Sequence, residues 1–321
     1  MSFRRRLKKL KRAVRRPFEW LGIFLALAVF AVLPRRAMLA VCDFASSVMY
    51  LFDPRGRARS RANLEIMFGR LSERRVSLIT RRSYRNMARA VGHAFWTSVF
   101  ARSRAAAASE TDARSAEFLA KCRNLVTVSG HIGCWEIMSQ IAFLHGHRMM
   151  SVAKDIGTPA MTRLLMWSRR SIGQSIVPAR GAFKPLMAAV RDGMSLGLLV
   201  DQVVKPRDGG MWVRFFGRPH SVSSAPAFFS AKAKVPIGVA WSRPLKDGRY
   251  RCEFIDEISC EEARDIWRTT QRCLADLERV IRRHPSCWAL NYNCFKRVPD
   301  AEELAKLEER EAQWTTAEKA G

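Results

Sequence analysis

A histidine and a glutamate lie five residues apart in the segment "GHIGCWE" (130–136), and these side chains could move a proton. A neutral imidazole takes a proton from a hydroxyl near pH 7, and a carboxylate that accepts the other ring N–H fixes the tautomer. Positions i and i+5 of one helix lie about 140° apart, so the pair meets only if His131 is in a loop and Glu136 in the first helical turns. The spacing alone is weak evidence, because such a pair arises readily by chance in a chain with 6 histidines and 29 acidic residues.

The flanking sequence strengthens the interpretation of this pair. "NLVTVS" (124–129) predicts a short buried strand, Gly130 and Gly133 permit a tight turn, and "CWEIMSQIAFL" (134–144) predicts a helix. A junction of this kind lies at the carboxyl edge of an open α/β sheet, where ligands bind. The amino terminus of the helix would present free N–H groups to a developing oxyanion, so the pattern suits acyl transfer to an alcohol.

The remaining chain predicts an α/β sandwich around a largely parallel sheet. Helices are expected over 61–69 and 72–100, and strands and helices alternate from residue 124 onward. The further strands are predicted at 149–154, 175–179, 195–202, 211–217, 235–244 and 248–256, and a long helix at 260–284. The strand at 195–202 ends near a carboxylate, that of Asp201.

Composition indicates one domain with a strongly basic surface. The chain has 321 residues, 48% of them hydrophobic, and no linker-like stretch. Its 56 Lys and Arg against 29 acidic residues give a net charge of +27, which favours polyanionic partners. The eight cysteines show no CxxC pair and no metal-ligand spacing, so they are expected to fill space in a reducing compartment. The sequence contains no P-loop and no dinucleotide fingerprint.

The amino terminus predicts an uncleaved membrane anchor with its first residues in the cytoplasm. Nine basic residues precede an apolar stretch over 20–33, which is short for a span, and Arg35 and Arg36 close it. Residues 37–52 add apolar surface, so a tilted span, a re-entrant hairpin and an interfacial helix all stay open. We therefore expect a basic arm and anchor over 1–36, a catalytic domain over 37–300 and a charged tail over 301–321.

Several segments together resemble the late acyltransferases of lipid A biosynthesis, within the lysophospholipid acyltransferase superfamily. In chain order they are "RANLEIMFG", "RRSYRNMAR", "GHIGCWE", "MWSRRSIGQSIVPAR", "GLLVDQ", "VRFFGRP" and "HPSCWALNYNCFK". The resemblance implies a glycerol-3-phosphate-acyltransferase-like α/β fold and an enzyme of the bacterial inner membrane that faces the cytoplasm. It implies transfer of a fatty acyl chain from acyl carrier protein to a hydroxyl of a phosphorylated, glucosamine-based lipid A precursor, with no metal or other cofactor.

The resemblance also assigns roles to individual residues. His131 corresponds to the general base and Glu136 to its acidic partner. The family arginine corresponds to Arg169 or Arg170, and Asp201 to the acid of the "DQ" pair, all three expected to bind substrate. The bland alternatives are a solvated helix face for the two arginines and a turn-capping carboxylate for Asp201.

The sequence leaves the substrate and the function open in three respects. Leu290, Tyr292 and Asn293 stand where the resembling proteins carry a Trp-x-His-x-Arg-like stretch, so the acceptor could differ, with ornithine lipid as one candidate. Arg214 in "VRFFG" favours a surface position over a ligand contact. A rival hypothesis is a membrane-surface binding protein without catalysis, while nucleic acid is disfavoured because the basic run does not interleave with aromatic residues.

Overall fold

The computed structural model describes residues 20, 22, 25, 28–30, 32–153 and 159–320. The basic arm and most of the apolar stretch predicted as an anchor lie outside the described residues. The helices of eight or more residues from residue 35 onward are α1 (Arg35–Phe52), α2 (Pro54–Phe68), α3 (Glu73–Val99), α4 (Ala101–Ala108), α5 (Ala113–Lys121), α6 (Trp135–Leu144), α7 (Pro159–Ser171), α8 (Phe183–Arg191), α9 (Ala225–Ala233), α10 (Ile266–Arg283) and α11 (Ala301–Ala320).

A mostly parallel sheet forms the centre of the protein, and this confirms the predicted α/β class. Seven of the described strands build it in the order β1-β9-β8-β2-β5-β3-β4, and all neighbours are parallel except β8 and β9. The strands are β1 (Ser109–Thr111), β2 (Val126–Ser129), β3 (Met149–Ala153), β4 (Gln174–Pro178), β5 (Ser195–Leu199), β8 (Ile237–Pro244) and β9 (Tyr250–Ile258). Helices connect the parallel strands, as short parallel strands require.

Two elements were not foreseen from the sequence. The strand predicted at 211–217 is β6 (Gly210–Phe215), but it pairs antiparallel with β7 (Arg218–Ser223) in a separate two-stranded sheet. The short edge strand β1 lies between the helix predicted over 72–100 and the strand predicted at 124–129, where no strand was expected. Both are short or polar, so their sequences lack the continuous apolar run that identifies a buried strand.

The amino-terminal helices form a layer against the main domain. Helix α1 packs on α3, where the Arg89 guanidinium donates to both carboxylate oxygens of Asp43 at 2.6 Å. No single helix among the described residues is long and apolar enough to cross a membrane. By length and composition, α1 and α2 together reach that threshold, but the chain bends by 90° between them. The alternatives raised for residues 37–52 therefore stay open.

Two apolar clusters stabilise the fold. The larger includes β2, β5, β8 and α10, with Val128, Leu196 and Leu274 fully buried. The smaller joins α1, α3, α6 and β9. Helix α11, in the segment predicted as a charged tail, buries Leu307 in the larger cluster and pairs Glu311 with Arg214 of β6.

Candidate functional site

The candidate site lies where two neighbouring parallel strands end. Strands β2 and β5 pair in register, with Ser129 opposite Leu199. His131 and Asp201 each follow two residues after these positions, so the sheet places them side by side. The carboxyl edge of a parallel sheet is the usual ligand-binding edge, which agrees with the position predicted for the histidine loop.

The Asp201 carboxylate holds the His131 imidazole. Asp201 Oδ1 lies 2.8 Å from His131 Nδ1, and Asp201 Oδ2 accepts from the His131 backbone N–H at 2.8 Å. An ionised carboxylate only accepts hydrogen bonds, so Nδ1 carries the proton and Nε2 presents its lone pair. Gln202 Nε2 lies 3.2 Å from that atom and donates to it. The His131 side chain is 22% exposed and that of Asp201 only 3%, so the base faces outward from a buried acceptor.

Electrostatics match this geometry. Burial alone lowers the pKa of His131, but the Asp201 charge and hydrogen bond outweigh it and hold that pKa above its usual 6.5. Burial opposes ionisation of Asp201, yet the contacts with His131 and Trp288 keep the pKa of Asp201 below its usual range. The pair therefore contains an ionised carboxylate beside an imidazole whose pKa is raised.

Glu136 does not hold the imidazole, so the expectation that it accepts a ring N–H of His131 is wrong. Glu136 lies in the first turn of α6, as predicted, but both its oxygens face α7. Arg169 donates to them through Nε at 2.9 Å and Nη2 at 2.5 Å, and Trp135 Nε1 donates to Oε1 at 3.0 Å. The bidentate guanidinium is a stronger partner than a neutral imidazole, and Asp201 already occupies Nδ1.

The Glu136–Arg169 ion pair is still close to His131. Trp135 contacts both, because its Nε1–H donates to Glu136 and its ring centroid lies 5.1 Å from that of His131. Of the two candidate arginines, Arg169 faces inward, with 13% of its side chain exposed, while Arg170 is exposed on the same helix and forms no ion pair with any described residue. The geometry thus distinguishes two neighbours that the sequence left equivalent.

Close backbone packing fixes the histidine loop. A Cβ on Gly130 would lie 3.1 Å from Asp201 Cγ, and one on Gly133, at φ +64°, would lie 1.8 Å from the Ser242 carbonyl oxygen. The loop also pairs with the segment after α10, because Gly133 N donates to Cys287 O at 2.9 Å. Only glycine combines that φ with such an approach at position 133, whereas a Cβ at position 130 would require the Asp201 side chain to shift by a few tenths of an ångström.

Sequence reasoning missed two residues of the site. Gln202 follows Asp201 directly in "GLLVDQ", so its closeness to His131 could have been inferred from its position in the sequence. Trp288 donates its indole N–H to Asp201 Oδ2 at 2.8 Å. It lies in the quoted "HPSCWALNYNCFK", but no spacing rule connects it to a residue 87 positions earlier.

Other candidate groups have structural environments. Cys134 is fully buried, its thiol contacts Ala90 O, and burial raises its pKa, so it is not an exposed nucleophile. His220 lies behind Asp201, where burial lowers its pKa to about 4 and keeps it neutral. Arg214 pairs with Glu311, in agreement with a structural surface role. No group of three or more His, Cys, Asp or Glu residues in the described ranges is arranged to hold a metal ion.

The segment that departs from the resembling proteins lies beside the site. Leu290 is fully buried in the larger cluster, so its side chain cannot contact an acceptor lipid. Tyr292 is partly buried and Asn293 exposed. Asn63 of α2 donates to the carbonyl oxygens of Leu290 and Tyr292, both at 2.8 Å.

Comparison with known proteins identifies the family of the chain. No curated protein sequence matches the chain. The family model described as bacterial lipid A biosynthesis acyltransferase matches residues 3–297, which include His131, Glu136, Asp201 and Trp288 but not α11. The chain therefore belongs to the bacterial lipid A biosynthesis acyltransferase family.

Proposed function

We propose that the protein is a membrane-associated O-acyltransferase that moves a fatty acyl chain from acyl carrier protein to a hydroxyl of a lipid A precursor. His131 Nε2 is the general base, and Asp201 holds its tautomer. The observation that supports this most is the 2.8 Å contact between His131 Nδ1 and Asp201 Oδ1 at the carboxyl edge of the sheet. The family match supplies the reaction class.

During the reaction one proton moves from the acceptor hydroxyl to His131 and from there to the leaving thiolate. His131 Nε2 takes the proton of the acceptor hydroxyl while its oxygen attacks the carbonyl carbon of the thioester. The tetrahedral intermediate then expels the carrier thiolate, which recovers the proton from the imidazolium, so an ester and a free thiol are the products. Asp201 stays ionised and stabilises the imidazolium between the two steps. Gln202, now within reach of Nε2, must give way to the hydroxyl.

Arg169 and Glu136 form the second part of the proposed site. Two donors of Arg169 face Glu136, and no described residue accepts a hydrogen bond from Nη1. We assign Arg169 to an anionic or carbonyl oxygen of a substrate and Glu136 to holding the guanidinium in that orientation. Arg170 is exposed beside it and would add positive charge toward the phosphates of the acceptor.

The surface of α1 supports placement at a lipid surface. Its outward side carries exposed apolar side chains at helical spacing, including Phe44 at 74% and Phe52 at 82% exposure. Its inward side buries Met38 and Cys42. An apolar stripe near exposed Arg55 and Arg59 fits an anionic bilayer interface, and we assign the inner membrane, with the site facing the cytoplasm.

Purified protein with labelled acyl carrier protein and a lipid A precursor tests the activity. His131→Ala should abolish transfer and leave flotation with anionic vesicles unchanged. Retained turnover in His131→Ala would exclude the proposed base. Mass spectrometry of the product reports the acceptor hydroxyl, and an ornithine-lipid acceptor in a parallel reaction tests the alternative substrate.

The placement of α1 has its own test. Phe44→Asp with Phe52→Asp should lower binding to anionic vesicles while the folded state, by circular dichroism, is retained. Unchanged vesicle binding would show that this stripe does not contact lipid.

A further inference from the structure

Trp288 contacts the carboxylate of the candidate catalytic pair. Its indole N–H and the His131 backbone N–H both donate to Asp201 Oδ2, each at 2.8 Å. These two donors occupy one carboxylate oxygen, so the other oxygen, Oδ1, is left for the imidazole. The rotamer of Asp201 is therefore set by Trp288 as much as by the histidine.

The Trp288 side chain is itself fixed. Only 1% of Trp288 is exposed, and its ring centroid lies 5.8 Å from those of both Phe215 and Phe216. The hydroxyl of Ser83 in α3 donates to the Trp288 carbonyl at 2.6 Å. A side chain held on all sides holds its own hydrogen-bond partner in a narrow range of positions.

The Trp288 backbone also holds the histidine loop. Trp288 forms an antiparallel bridge with Ile132, and Ala289, which follows Trp288, donates its N–H to His131 O at 3.0 Å. The loop with the base and the carboxylate that orients it are thus both anchored to one residue. No other side chain in the described ranges donates a hydrogen bond to Asp201 Oδ2.

We propose that Trp288 is a positioning residue of the acyl-transfer reaction. It acts through Asp201 by keeping Oδ1 aimed at His131 Nδ1, and it does not touch the substrate. This inference rests on the proposed function, because it concerns the efficiency of the same base.

Trp241 offers a matched control. It is 2% exposed, and its indole N–H also donates to a carboxylate, that of Glu253, at 3.2 Å. Among the described residues its side chain forms no hydrogen bond and no ring contact with His131 or Asp201. Removal of its N–H therefore tests what burial and a tryptophan–carboxylate hydrogen bond contribute without the catalytic pair.

The experiment compares Trp288→Phe with Trp241→Phe in acyl transfer from acyl carrier protein. We expect kcat of Trp288→Phe to fall about 10- to 100-fold with KM within about 2-fold, because a base displaced by a fraction of an ångström reacts less often. The acid limb of the pH–rate profile should move to lower pH, because an Asp201 carboxylate that is no longer aimed at Nδ1 stabilises the imidazolium less. Trp241→Phe should retain the kcat and the acid limb of the wild type.

Packing changes are separated by replacing Trp288 with benzothienylalanine, which keeps the bicyclic shape and lacks the N–H donor. The same fall in kcat is expected. Wild-type kcat in this variant, or an equal loss in Trp241→Phe, would overturn the inference.

Failure of the proposed function is recognised separately. If the wild-type protein transfers no acyl chain, the proposed function fails, and ¹⁵N NMR of the His131 ring still tests Trp288. The wild type should show the Nδ1–H tautomer, and the benzothienyl variant a mixture of the two tautomers. An unchanged Nδ1–H tautomer in that variant would overturn the positioning role.

Discussion

Replacement of Asp201 by asparagine gives the sharpest test of how the base is oriented. In the folded protein three N–H groups face the two Asp201 oxygens: His131 Nδ1–H at Oδ1, and the His131 backbone N–H and Trp288 Nε1–H at Oδ2. An amide has one accepting oxygen and one NH2 group that only donates. If the NH2 group took the Oδ2 position, it would oppose two donors. At the Oδ1 position it opposes one, and that one can rearrange.

The second orientation changes the tautomer. The NH2 group donates to Nδ1, the ring proton moves to Nε2, and the atom that must accept the hydroxyl proton already carries one. Loss of the analogous charge in a Ser-His-Asp triad lowers kcat about 10⁴-fold. We therefore expect Asp201→Asn to lower kcat about 10³- to 10⁴-fold, which is about 4 to 5.5 kcal/mol in the barrier. KM should change little, because the carboxylate is buried behind the ring.

The assay is single-turnover transfer of a labelled acyl chain, with thermal unfolding to confirm the fold. Glu136→Gln is the matched comparison, since Glu136 was the partner that the sequence suggested and faces Arg169 instead. We expect Glu136→Gln to lower kcat by about 10-fold or less, because the His131 tautomer is untouched. A folded Asp201→Asn protein within 10-fold of the wild type, or a larger loss in Glu136→Gln, would refute the assignment of Asp201.

Four further outcomes follow from the same structure. The rate should rise with pH with a midpoint above pH 6.5, because His131 acts only when neutral and its pKa is raised. A midpoint at or below pH 6.5 in the pH–rate profile would contradict this. Gly133→Ala should unfold the protein or lower its melting temperature sharply, because the added Cβ would lie 1.8 Å from a backbone oxygen. Gly217→Ala is the control, because its added Cβ would have no atom within 4 Å. It should lower the free energy of unfolding by only about 1–3 kcal/mol, the strain of a positive φ. Leu307→Ala should lower the free energy of unfolding by about 2–5 kcal/mol in denaturant titrations; no loss would mean that α11 is not docked. Arg169→Ala should lower the free energy of unfolding by about 3–5 kcal/mol, because the buried Glu136 carboxylate is left unpaired. Stability equal to that of the wild type in denaturant titrations would argue against the ion pair.

Local sequence patterns were sufficient for most of the central fold. The apolar run before Gly130 and the mostly apolar run after it predicted β2 and α6 within two residues of their bounds. The same reasoning placed β3, β4, β5 and β8, because these strands are short, mostly apolar runs between turn residues. It missed β7, the second strand of the β6–β7 hairpin, because "RPHSVS" is too polar to indicate a strand. That hairpin is stabilised by α10 and α11, which are distant in sequence.

The acidic partner of His131 could not be predicted from spacing, because it is set by strand order. The sequence located both carboxylates, one five residues away and one at the end of a later strand. Which of them meets the ring depends on β5 being a neighbour of β2 in the sheet, although two other strands lie between them in the chain. Helix α6 then directs Glu136 toward Arg169, a residue that approaches only when α7 packs nearby.

The His131–Asp201 pair stabilises the folded protein most in the protonation state that does not catalyse. Because the pKa of His131 is raised, its contact with Asp201 contributes stability that is complete below about pH 6.5 and fades as the pH rises through the folded pKa. The lowered pKa of Asp201 contributes stability above about pH 3.9, which is lost as the pH falls. Between these limits the pair is imidazolium and carboxylate, and the base carries its proton. At higher pH, where the base is free, the buried carboxylate no longer faces a full positive charge. His131 Nδ1–H at Oδ1 and the N–H groups of His131 and Trp288 at Oδ2 are then what keeps Asp201 ionised and in place. The active form therefore depends on neutral donors for the orientation of its base.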